Sequence, residues 1–196
     1  MWNAEFNLYL YSESPCTPLD YEALCSGIVK VDTLLRCEFI GDKIGRTASR
    51  TRYQTGDKFL SLLSFMGCSP TIELEPQEDK PYCYIEIENA PAKTVFISGK
   101  NLRKTTCPEC KQRINHIGEL INTALDNKTD LINCPHCHHP IPYHNINWRK
   151  TGFIAKDWVV VGNIYESEAV PGDNLLNCLE KVTGTSWKFA YIRTEN

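Results

Sequence analysis

Two short runs, Cys107-Pro108-Glu109-Cys110 and Cys134-Pro135-His136-Cys137, each separate two thiols by two residues. A two-residue gap lets one tight turn aim both sulfurs at the same point, and two such turns complete a tetrahedral set of four sulfurs. Proline after the first cysteine pre-sets the turn and leaves one amide fewer to satisfy. The chemistry this pattern serves is metal binding, with zinc favoured as the ion. With every position filled by sulfur, no place remains for a reactive water, so the site is expected to be structural rather than hydrolytic.

The other six cysteines, Cys16, Cys25, Cys37, Cys68, Cys83 and Cys178, lie scattered among apolar neighbours. They read as reduced, mostly buried thiols, because free cysteine packs as a small hydrophobe. Disulfide frameworks belong chiefly to small secreted chains with little core. His136, His138 and His139 crowd the second cysteine pair and read as polar surface beside a complete thiolate set. Asp57 and Asp173 read as helix caps, while Glu73, Glu75, Glu86 and Glu88 alternate as a solvated strand face does. No catalytic constellation stands out.

The elements that must hold these residues follow from hydrophobic spacing. Phe6-Asn7-Leu8-Tyr9-Leu10-Tyr11 predicts a first strand, and Pro18 to Cys25 a short helix. Residues 29–39 alternate as a half-buried strand, and residues 41–56 read as a loop or hairpin arm carrying Lys43, Arg46, Arg50 and Arg52. A helix is expected from Gly56-Asp57 through Phe59, Leu60, Leu63 and Met66. Residues 70–74, 82–87 and 94–98 predict three strands joined by turns short enough for antiparallel neighbours. Beyond the cysteines come strands at Phe153-Ile154 and from Trp158 to Tyr165. A helix from Pro171-Gly172-Asp173 to Gly184 and a last strand at residues 187–192 complete the chain. The two helical runs share a Gly-Asp start, which reads either as a diverged duplication flanking the insertion or, in the favoured reading, as a capped amphipathic helix feeding a strand, a pattern that recurs by physics alone.

The segment 104–146, with its two cysteine pairs, resembles the zinc-ribbon or zinc-knuckle class. Between the pairs, Ile114, Ile117, Leu120, Ile121, Ala124 and Leu125 have helical spacing where a simple ribbon has a β-hairpin, which points to a ribbon with a helical insertion or another knuckle arrangement. Rubredoxins share the Cys-Pro-X-Cys pattern and bind iron, but Lys111 and His138 stand where their knuckles have glycine. Zinc is therefore expected over iron.

The 196 residues suffice for a real core, and no apolar run approaches the length of a membrane span. Met1-Trp2-Asn3-Ala4-Glu5-Phe6 lacks the basic start and apolar run of a secretory signal, so the expected compartment is cytoplasmic, with no membrane association. The expected fold class is α+β, a mainly antiparallel sheet with two or more short helices, interrupted by a zinc-binding insertion. Residues 1–99 and 151–196 would form the body and 100–150 the insertion. A net charge of −3 argues against a protein that coats nucleic acid, yet residues 100–150 hold eight Lys/Arg against four Asp/Glu. Three functions are weighed: a protein-interaction or regulatory module braced by zinc; a nucleic-acid-binding protein using Arg103, Lys104, Lys111, Arg113, Arg149 and Lys150; and an enzyme whose active site the sequence does not reveal. A protein partner is the leading expectation.

Overall fold

The structure is a computed structural model that describes residues 6–13, 34–47, 49–66, 72–76, 80–88 and 94–194. Its centre is a strand with two hydrophobic faces. In β1 (Phe6–Ser12), Leu8 and Leu10 point to one side and Tyr9 to the other, all buried. Side chains alternate along a strand, so burial on both sides requires a layer on each face of the sheet. β1 pairs antiparallel with β12 (Trp158–Gly162) and with β14 (Trp187–Arg193). With β5 (Tyr84–Glu88), β3 (Arg50–Thr55) and β2 (Ile40–Arg46), these strands form one sheet in the order β14-β1-β12-β5-β3-β2. Every neighbouring pair is antiparallel. The class is α+β, as the periodicities implied.

One face of this sheet presents Leu8, Leu10, Ile85, Ile87, Val159 and Val161 to helices. Above it lie the short α1 (Phe59–Leu62), through Phe59, and α3 (Asp173–Thr183), through Leu175 and Leu179. Gly184, at φ 70°, ends α3 in the left-handed conformation that glycine tolerates, as its position predicted. The opposite face carries Tyr9, Trp158, Val160, Ala190 and Ile192. It is covered by a two-stranded ribbon of β6 (Val95–Ser98) and β11 (Gly152–Ala155). Phe153 stacks on Tyr11, with ring centroids 4.3 Å apart, and lies 5.5 Å from Tyr9.

The ribbon is itself two-faced. Val95, Ile97, Phe153 and Ala155 pack against the sheet, whereas Phe96 and Ile154 pack into a separate cluster around Ile114, Ile117, Ile121, Ala124, Ile132 and Ile141. That cluster belongs to residues 99–151, which leave the ribbon at Ser98 and return opposite it at Gly152. Phe96 meets Trp148 at 4.8 Å, and a Cβ at Gly118 would lie 3.4 Å from the Phe96 ring, so the helix there sits close on the ribbon.

Where this segment departs and returns, it is fastened to the outer edge of β14. Lys100 N–H donates to the Arg193 carbonyl (2.9 Å) and Tyr191 N–H to the Lys150 carbonyl (2.7 Å). The Asn101 amide donates to the Tyr191 carbonyl (2.8 Å) and accepts from Arg193 N–H (3.0 Å), imitating a neighbouring strand. Gly99 permits the approach, since a Cβ there would fall 2.1 Å from the Arg193 oxygen. The buried Thr151 hydroxyl accepts from Arg103 N–H (3.1 Å) and donates to the Trp148 carbonyl (2.7 Å), joining the two connectors.

Several sequence expectations are corrected. Cys37 and Cys178 are not reduced thiols but a disulfide, with Cα atoms 6.6 Å apart across a separation of 141 residues. The tertiary fold brings the turn carrying Cys37 against α3, a pairing that local context does not reveal. Cys83 is a buried free thiol, as expected, and Cys16, Cys25 and Cys68 lie outside the described residues. The strand expected at residues 29–39 is replaced, within its described part, by a helical turn at residues 34–36. Phe39 N–H closes that turn on the Leu34 carbonyl and Glu38 N–H on the Leu35 carbonyl, with Glu38 at φ 53°. This closure sends both Leu34 and Phe39 into the core.

The helix expected to run to Met66 stops after four residues, because β4 (Leu63–Phe65) extends to pair with β13 (Ala169–Pro171). No side chain caps either helix start: the caps are Lys58 and Gly172, and Asp173 instead sets its charge in the first turn of α3. Residues 72–74 are irregular rather than a strand. Strands β5 and β6 are not neighbours, since each finds its partners far along the chain. The 41–56 arm is the β2–β3 hairpin. Glu86 is not solvated; it binds Arg50 at 2.9 Å and Arg52 at 2.8 Å, and Arg52 lies 3.7 Å over the Tyr84 ring. The helix expected at 18–25 lies outside the described residues. No helix among the described residues is long and apolar enough to cross a membrane.

Two predictions follow from these contacts. Cys178→Ser should lower unfolding stability by about 3 to 5 kcal/mol, the chain-entropy value for so long a loop. Urea titration without reductant measures it, and reduced wild type should fall to the same level. Asn101→Ala should cost about 1 to 2 kcal/mol, and hydrogen exchange should speed up selectively at the Arg193 amide.

Candidate metal centre

Each cysteine pair sits at the tip of a small hairpin. The first joins β7 (Thr105–Thr106) to β8 (Arg113–Ile114), and the second joins β9 (Leu131–Asn133) to β10 (Pro140–Pro142). Between them runs α2 (Ile117–Asp126), which buries Ile117, Ile121 and Ala124. The helical spacing in the sequence is therefore realised, except that Ile114 falls in β8.

The two tips repeat the same backbone pattern. Cys107 N–H donates to the Gln112 carbonyl and Lys111 N–H to the Cys107 carbonyl; Cys134 N–H donates to the His139 carbonyl and His138 N–H to the Cys134 carbonyl. The first sulfur of each pair also accepts an amide, from Glu109 onto Cys107 and from His136 onto Cys134, at 3.4 Å in both cases. Lys111 and His138, one residue after each pair, stand at φ 60° and 59°. At these two positions, where rubredoxin knuckles have glycine, lysine and histidine adopt the left-handed backbone that the turn imposes. The Lys111 ammonium donates to the Pro108 carbonyl across its own knuckle.

All four sulfurs lie within 4.8 Å of one another. Across the knuckles, Cys107 faces Cys137 at 3.7 Å and Cys110 faces Cys134 at 3.7 Å. Those separations are far beyond the roughly 2.05 Å of a disulfide. A tetrahedron with metal–sulfur bonds of about 2.3 Å has edges of about 3.8 Å, so the thiols fit a single four-coordinate ion. The donors are also graded in exposure: Cys107 and Cys134 are fully buried at 0%, Cys110 is intermediate and Cys137 is exposed.

Burial disfavours ionisation of Cys134, but the amides of Cys137 and His136 and the neighbouring thiols outweigh it and bring this thiol down to about 6. Cys110 receives a hydrogen bond from the Gln112 backbone that lowers it. Burial and the surrounding sulfurs nevertheless push it up to about 12. A first negative charge is thus held on one sulfur by amides and neighbouring thiols that donate to it, while its neighbour keeps its proton.

The expected basic residues fall in two parts of the segment. Lys111 and Arg113 are exposed beside the first knuckle, where the Arg113 carbonyl lies 3.0 Å from His136 Nε2. Arg103, Arg149 and Lys150 lie instead at the foot of the segment. There the Arg103 guanidinium is 4.0 Å from Glu166, and the Lys150 ammonium sits 3.9 Å over the Phe189 ring. Lys104 is exposed just before β7. His136 and His138 are exposed and His139 half-buried, so the polar surface expected of them holds for the first two. Cys83 is no rival nucleophile, because burial pushes its thiol up and keeps it neutral. The Cys37–Cys178 bond is what the sequence reasoning missed; nothing in the spacing of those two residues marks it.

No protein-family model, curated protein or solved structure matches this chain.

Cys134→Ser should abolish tight metal binding and make residues 100–150 protease-sensitive, read by elemental analysis and limited proteolysis. Bound metal unchanged from wild type would count against the assignment. Protons compete with metal for thiolates, so acidification should release the ion and raising the pH should restore it; a chromogenic chelator at stepped pH follows the release.

Proposed function

We propose that residues 100–150 are an insertion of the zinc-ribbon or zinc-knuckle type, and that the protein is a binding module whose zinc braces the surface it offers to a protein partner. The observation that carries this reading is the pair of matching knuckles that aim four sulfurs at one point with 3.7 Å cross-knuckle edges. Four thiolates leave no open coordination place, which suits a structural ion, and sulfur donors in this geometry favour zinc. Binding energy at such a centre is folding energy, on the order of 10 kcal/mol in isolated zinc peptides. A segment whose own strands are only two or three residues long gains its definition from that energy.

The arrangement also supports presentation. The ribbon and the β14 edge hold the foot of the segment, and Pro108, Glu109, Pro135 and His136 at the knuckle tips are exposed. Exposed Lys111 and Arg113 beside them favour a second reading, contact with nucleic-acid phosphate. Engagement of Arg103 with Glu166 and of Lys150 with Phe189 weakens it.

Protein purified without added metal should contain about one zinc per chain. Affinity capture with wild type, compared with a Cys134→Ser variant, should recover a partner only when the centre is intact; equal recovery by both would reject the insertion as the contact. Titration with single-stranded and duplex oligonucleotides separates the second reading. Salt-sensitive binding lost on neutralising Arg103, Lys104 and Arg113 supports nucleic acid, and no binding at low salt removes it.

A further inference from the structure

The four cysteines of the centre differ in access. Cys107 and Cys134 are sealed at 0% exposure, whereas Cys137 is open to solvent. A metal-bound cysteine is a thiolate, and oxidation of thiolates follows their charge and their exposure. Directly behind Cys137, on the other knuckle, lies the Cys107 sulfur at 3.7 Å. An exposed thiolate with a second sulfur poised next to it is the arrangement that reversible thiol oxidation uses.

We propose that Cys137 is an oxidative modification site, the point at which a hydroperoxide opens the four-thiolate centre, with Cys107 as the resolving thiol. The inference rests on the metal-binding reading above. The Cys137 thiolate attacks the terminal peroxide oxygen; the O–O bond breaks and the departing oxygen takes a proton as an alcohol, or as water when the oxidant is hydrogen peroxide. Cys137 is then a sulfenic acid. The Cys107 thiolate attacks its sulfur, the S–S bond forms, and the hydroxyl leaves with a proton as water. Two electrons have passed from two thiolates to the peroxide. Cys110 and Cys134 remain, two ligands where a tetrahedral ion needs four, so the metal is released.

The sulfurs need to close only from 3.7 Å to about 2.0 Å. Because Cys137 and Cys107 lie on different knuckles, the new bond replaces the ion with a covalent tie between the same two hairpins. The knuckle surface is thereby switched by oxidant without being cut loose. A thiol reductant attacks that disulfide, returns both thiolates and allows metal to bind again.

The test uses the full-length, metal-loaded protein and hydrogen peroxide. Metal release is followed with a chromogenic chelator, and partly reacted samples are alkylated and mapped by mass spectrometry. The expected results are a Cys107–Cys137 disulfide forming in step with release and recovery on reduction. A Cys137→His variant, which keeps a nitrogen donor at that position, should release metal roughly tenfold more slowly. First oxidation at Cys110, a disulfide within one knuckle, or release from Cys137→His at the wild-type rate would overturn the proposal. If Cys137→His binds no metal, the map from wild type decides. A wild-type preparation that contains no metal before peroxide is added sinks the metal reading instead, so the two failures are told apart.

Discussion

The two-faced ribbon of β6 and β11 is the constraint on which the rest of the molecule depends. Strand residues alternate sides, so four side chains of this ribbon, Val95, Ile97, Phe153 and Ala155, enter the core over the sheet. Phe96 and Ile154 enter the core beneath the knuckles. Two hydrophobic clusters thus share one pair of strands. The layers run from helices to sheet to ribbon to cysteine-knuckle segment, and each interface buries apolar surface that its neighbour would otherwise leave in water.

Polar interactions then fix orientation where apolar burial cannot. An edge strand exposes unpaired amides and carbonyls, which proteins cover or blunt. Here β14 is covered near its end by the connectors of the segment it borders, through Lys100, Asn101 and Lys150. The same contacts cover the edge and tie the cysteine-bearing segment to the body. On the far side of the molecule the Cys37–Cys178 bond joins the turn before β2 to α3. It links parts of the chain that the sheet order separates, since β14, which follows α3, and β2 are its opposite edges.

At the centre itself, geometry and electrostatics point the same way. Matched backbone hydrogen bonds in both knuckles set the sulfurs at the spacing of a tetrahedral ion, at the cost of placing Lys111 and His138 in a left-handed conformation that glycine would adopt more readily. Side chains at those positions keep the knuckle surface polar and charged.

What the sequence determined by itself was local. The two Cys-Pro-X-Cys turns, the helical spacing of Ile117, Ile121 and Ala124, the Gly172 to Gly184 bounds of α3 and the runs of strand-forming residues in β1 and β14 each depend on residues within a few positions of one another. Local sterics, capping and periodicity therefore make them legible. Tertiary structure alone decided the rest. Leu63 to Phe65 had helical spacing, but pairing with residues more than a hundred positions away drew them into a strand. Glu86 had the pattern of a solvated face, but Arg50 and Arg52 arrive from the adjacent strand to bind it. Cys37 and Cys178 carried no sign of each other. In each case the deciding partner is distant in sequence, and the free energy that selects the conformation comes from burial and pairing that exist only after the chain has folded.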